Sequence, residues 1–175
     1  MDNDFWQYID RLELLAFFSG YPLVYAIVMV FLGNKNNKWK KFPSGFSSYL
    51  PYAYALSGTL YLGLLLKNLY PNYSINNFEV FFDHSYLKIW AILSLLFWIP
   101  LLAKKRVISL LHSLPFFIYI IKDAFQFHAS TSGREMIRNE IRIYSDSLLL
   151  NITTLVIVIL LTLLVKATRN NKLPH

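Results

Sequence analysis

Apolar residues along this chain come in blocks rather than scattered singly. Five stretches reach or approach the ~20 helical residues needed to cross a bilayer core about 30 Å thick. They are Leu14–Leu32, Tyr49–Leu66, Tyr86–Ala103, Val107–Phe127 and Leu148–Val165. The pattern predicts an all-α polytopic membrane bundle of four or five transmembrane helices with one amphipathic interfacial helix. Five spans use about 100 of the 175 residues, and no free segment reaches the ~50 residues of a small soluble domain. A single membrane domain over residues 1–175 is therefore expected.

Each block carries its own punctuation. Gly20 and Pro22 interrupt the first, where proline removes a backbone donor and bends a helix. Tyr49, Tyr52 and Tyr54 crowd the start of the second, as amphipathic rings do at a membrane interface. Ala55, Thr59 and Gly63 fall four apart on that block and predict a face for close helix packing. The third block is apolar nearly all round, with Trp90 and Trp98 toward its ends and Pro100 near its close. The fourth holds His112 and Pro115 and is followed by Lys122 and Asp123. It either spans or dips in and returns.

Ser132 and Glu135 have the spacing of a capping box, so a helix is expected to start there. Arg134, Arg138 and Arg142 then recur every fourth residue, opposite Met136, Ile137, Ile141, Ile143 and Tyr144. This is an interfacial amphipathic pattern, with the arginines as a headgroup or partner contact. It runs directly into the fifth block. If residues 133–166 form one helix, it is about 50 Å long at 1.5 Å per residue. Ser147, Asn151, Thr154 and Thr162 share one face of this segment, within an arc of about 80°. Lipid disfavours such a face, so it must meet another helix, a second subunit or a pore. Ser57 and Thr59 on the second block, His112 on the fourth and a second copy of the fifth are the candidate partners of Asn151.

Charge changes the picture by giving an orientation. Seventeen Lys and Arg stand against ten Asp and Glu, a surplus that reads first as topology and anionic headgroups. Lys35, Lys38, Lys40 and Lys41 mark the loop 34–48 as cytoplasmic. The segment 67–85, rich in Asn and aromatics, belongs on the opposite side. With five spans, ten basic residues lie inside; with a re-entrant fourth segment, eleven do. Hydrophobic length favours five. The acidic N-terminus lacks the positive region of a signal peptide, so the first block is expected to be retained.

Catalytic signals are missing. There is no cysteine, which excludes disulfides, thiolate catalysis and Cys-ligated metal. Pro43-Ser44-Gly45 is followed by Phe46, so the histidine of the membrane lipid phosphatase signature is absent. Nucleophile-elbow, zincin and Walker patterns are absent too. No histidine has a ligand partner three or four residues away. His112 is the one histidine at membrane depth, where an ionisable group is either an interhelical hydrogen bond or a functional group. No catalytic residue, metal or cofactor is expected.

In size, span number and lack of a catalytic motif, the chain resembles the small membrane components of prokaryotic antiviral systems. These are the accessory protein of type VI-B CRISPR effectors and the membrane subunit of Kiwa. The resemblance implies a non-enzymatic inner-membrane protein: an oligomeric pore, a membrane-perturbing effector or a regulatory accessory subunit in antiviral defence. Membrane lipid, a homo-oligomer and a protein partner at the cytoplasmic face are the expected contacts; direct nucleic-acid binding is not. The alternative is a small stand-alone transporter or channel, and an intramembrane enzyme ranks last.

Overall fold

The computed structural model describes residues 11–32, 46–69, 86–128 and 133–170. All regular structure among them is helical. Residues 11–18 form α1 and Tyr21–Leu32 form α2. After a short 3₁₀ turn at Phe46–Ser48 comes α3, Leu50–Leu69. Helix α4 covers Tyr86–Ile92 and continues as a 3₁₀ helix over Leu93–Trp98. The four-residue α5, Pro100–Ala103, leads to α6, Arg106–His128, and α7, Gly133–Asn170.

The first apolar block is two helices joined at Ser19-Gly20. Pro22 cannot donate to the carbonyl of Phe18, and its ring crowds that carbonyl, so the break falls just before it. The third block, Tyr86–Ala103, is not one continuous span. Its tightening to 3₁₀ geometry ends at Ile99, which is extended at φ −73° and ψ 120°. A residue before proline is pushed out of the helical region, and Pro100 does this here. The stretch Tyr86–Trp98 rises about 22 Å, short of a bilayer core.

The fourth block, in contrast, does not turn back. Helix α6 runs 23 residues through Pro115, a rise of about 34 Å. The arginine-rich segment and the fifth block are one 38-residue helix, about 57 Å long. Two helical stretches are long and apolar enough to cross a membrane, Arg11–Val30 and Ile141–Arg169. The four- or five-span bundle expected from hydrophobic blocks is not reached by that measure. Helix α3 has the length, but it carries five tyrosine and serine or threonine side chains among its apolar ones, and Tyr54, Ser57 and Tyr61 are buried.

Helix α3 packs along α7 on one side and along the 3₁₀ segment 93–98 on the other. Helices α6 and α7 pack together, and α2 lies against both. The core where these elements meet is aromatic. Phe18 stacks on Phe116 with centroids 4.8 Å apart and meets Tyr54 and Tyr61 edge-on. Such offset and edge-to-face pairs add to the gain from burial alone.

Two glycines set how closely the elements approach. A Cβ on Gly20 would lie 2.6 Å from the backbone nitrogen of Leu148, so the α1–α2 junction crosses α7 backbone to backbone. A Cβ on Gly58 would lie 1.9 Å from Ser94 Oγ. Gly63, the end of the expected packing face, has nothing within 4 Å of an added Cβ. The α3 packing surface follows Tyr54, Gly58, Tyr61 and Leu65 instead.

Candidate functional site

Two assemblies of polar groups stand out in the described interior. The first centres on α7. Ser147, Asn151 and Thr154 are buried, and Val158 continues their stripe. Asn151 donates one amide hydrogen to the carbonyl of Phe17 at 2.9 Å and the other to that of Ser147 at 2.8 Å. Its oxygen accepts from Ser57 Oγ at 3.3 Å. Ser57 also lies 3.3 Å from Thr154 Oγ1, which bonds to the carbonyl of Asn151. The backbone N–H of Gly20 donates to Ser147 Oγ at 2.9 Å.

This arrangement has a physical cause in the first block. In a continuous helix the N–H of Gly20 and the carbonyl of Phe17 would each have an intrahelical partner. The Ser19-Gly20 break frees both. Buried backbone groups left unpaired cost several kcal/mol in an apolar medium. Ser147 and Asn151, one turn apart on α7, meet one each. The stripe is thus a fastening across the break, with every partner of Asn151 inside the same chain.

The second assembly surrounds His112 on α6. Tyr54 Oη lies 2.8 Å from His112 Nδ1. The Trp90 ring stacks on the imidazole at 4.6 Å and 7°, and its Nε1–H donates to the His112 carbonyl at 2.9 Å. Phe97 meets the imidazole edge-on at 5.7 Å. His112 Nε2 is buried and has no hydrogen-bond partner among the described residues. Whichever group carries the proton in the Tyr54–His112 contact, one donor of the pair, Tyr54 O–H or His112 Nε2–H, is left unmatched among the described residues. Tyr54, expected at the interface with Tyr49 and Tyr52, is instead fully buried. Its hydroxyl finds His112, which is what allows a tyrosine tip inside a core.

One further fastening lies at the start of α6. Arg106 donates to Ser47 Oγ and, at 2.8 Å, to Ser48 Oγ. It ties the end of the first basic loop to the Lys104-Lys105-Arg106 turn. Ser109 above it bonds Tyr21 Oη at 2.8 Å.

The other expected site residues are dispersed. Thr162 is half-buried and bonds its hydroxyl to the carbonyl of Val158 within its own helix. Ala55 is buried, while Thr59 is exposed and accepts from Trp98 Nε1 at 2.9 Å. Arg142 is exposed; the side chains of Arg134 and Arg138, the Ser132 cap and most of the loops 34–48 and 68–85 lie outside the described residues. Among the described residues no three His, Asp or Glu side chains converge to hold a metal ion. Sequence reasoning placed a break at Gly20 but missed its close approach to α7, and it missed the role of Gly58 and the Tyr54–His112–Trp90 stack. The signal for that approach was a small residue at the break, two positions before Pro22.

No protein-family model, curated protein or solved structure matches this chain.

Proposed function

We propose that the chain is a non-catalytic, multi-spanning protein of a prokaryotic inner membrane, acting as a regulatory accessory or membrane-perturbing subunit. The observation that carries this is α7. Ile141–Arg169 is the longer of the two membrane-length helices, yet only 22% of its most apolar window is buried inside the chain. Leu149, Val156, Leu160, Leu161, Leu164 and Val165 all face outward. A soluble protein rarely exposes so large a continuous apolar surface. Its exposed hydroxyls are also masked. Thr153 and Thr168 each donate to a carbonyl four residues back, which suits a helix surrounded by hydrocarbon.

In this reading α1–α2, α3, α6 and α7 cross the bilayer, and Tyr86–Trp98 makes a short fifth crossing under which the membrane thins. The loop 34–48 is cytoplasmic and offers a protein partner its lysines. Homo-oligomers form through the outward faces rather than through Asn151, whose hydrogen bonds are satisfied within one chain. That arrangement supports helix fastening over pore lining for Ser147, Asn151 and Thr154. Antiviral defence is the setting the layout resemblance implies.

The test is extraction and labelling. The protein should stay in membranes washed with alkaline carbonate. With no native cysteine, Asn36→Cys should react with an impermeant maleimide only after permeabilisation, and Asn76→Cys in intact cells. Release by carbonate, or equal labelling of both sites in intact cells, contradicts the proposal.

A further inference from the structure

Between α3 and α7 lies an open groove of about 360 Å³. Leu60, Leu149, Leu150 and Ile157 form its walls. Thr153 and Thr154 also line it, but both hydroxyls donate to carbonyls of their own helix. Among the described residues, the one polar side chain on the groove without a hydrogen bond is Asp146, at its end.

Asp146 is the single acidic residue in Ile141–Arg169, within a chain of net charge +7. It is exposed, and it makes no ion pair among the described residues. Arg142 stands one turn before it, also exposed and not paired with it. A basic residue N-terminal to an acidic one at this spacing is the weaker orientation for a helical pair. The Cβ atoms of Arg142 and Asp146 therefore stand about 6 Å apart on successive turns, neither side chain paired among the described residues, above an apolar trough. From Asp146 to Ile157 the trough runs about 17 Å along the helix. Its volume fits about a dozen methylene groups if each takes roughly the 30 Å³ of a water molecule.

We propose that this groove binds one acyl chain of phosphatidylethanolamine, with the primary ammonium on Asp146 and the phosphate facing Arg142. This rests on the membrane reading above. Charge complementarity selects the lipid. An anionic lipid would match Arg142 but meet Asp146 unfavourably, and a choline headgroup has no N–H to donate to the carboxylate.

The measurement is lipid retention by native mass spectrometry. The full-length protein is exchanged in detergent with phosphatidylethanolamine, phosphatidylcholine or phosphatidylglycerol of matched chains. Wild type should retain phosphatidylethanolamine about fivefold over the other two, the scale of one charge contact at a membrane surface. Asp146→Asn, a surface change, should abolish that preference without changing folding. Leu150→Trp, which fills the trough, should lower retention of all three lipids. Equal retention by wild type, or an unchanged preference in Asp146→Asn, overturns the proposal. Release of the chain by alkaline carbonate overturns the membrane reading itself, so the two failures are distinguishable.

Discussion

The two membrane-length helical stretches solve the same problem in opposite ways. Arg11–Val30 is broken at Ser19-Gly20, and 56% of its apolar window is buried among its neighbours. Ile141–Arg169 is unbroken, more apolar, and 22% buried by the same measure. A broken helix exposes backbone groups that hydrocarbon cannot satisfy, so it must be sheathed in protein. An unbroken helix satisfies its own backbone and can face outward on most sides. The two meet at one crossing, and there the exposed helix lends the buried polar stripe Ser147, Asn151 and Thr154 to the broken one.

The sharpest way to break this comparison is at the crossing. Gly20→Ala would drive a Cβ into the backbone of Leu148 and Ser147, where no rotamer can yield. We expect it to destabilise by about 3 kcal/mol, the upper end for overpacking, in SDS-titration unfolding in mixed micelles. Next comes Asn151→Leu, which leaves the Phe17 carbonyl without its partner. A loss of about 2 kcal/mol is expected, with Thr153→Leu on the outward side within about 0.5 kcal/mol of wild type.

Gly58→Ala sharpens the contrast at smaller amplitude. Its new Cβ meets Ser94 Oγ, the end of a side chain with no hydrogen bond among the described residues. That hydroxyl can rotate away, so a cost of about 1 kcal/mol is expected. Gly63→Ala, facing open space, should be neutral or stabilising by a few tenths, since alanine is the better helix former. If Gly58→Ala proves as damaging as Gly20→Ala, the distinction between backbone and side-chain contact fails.

Much of this was legible in the chain itself. Gly20 and Pro22 predict a break, and the spacing of Ser147, Asn151 and Thr154 predicts a face that shuns lipid. What pattern alone does not carry is which surfaces meet. Gly58 and Gly63 look alike in sequence, and only the position of Ser94 separates them. Tyr54 and Tyr52 look alike too, yet one reaches His112 and the other stays half-exposed. The tightening of residues 93–98 to 3₁₀ geometry has no compositional mark beyond the proline that follows at position 100. Thr162 fits the stripe by angle, but hydrogen-bonds inside its own helix.

The central claim is that the α7 stripe exists to satisfy the backbone opened by the break. A double-mutant cycle of Asn151→Leu with Pro22→Ala tests it most directly. Alanine at position 22 restores a backbone donor and lets the first helix run on, so the Phe17 carbonyl recovers an intrahelical partner. The account predicts that Asn151→Leu costs about 2 kcal/mol with Pro22 present and less than about 0.5 kcal/mol with Ala at that position. An equal cost in both backgrounds would contradict it, and would leave Asn151 as a residue that serves its own helix and Ser57 alone.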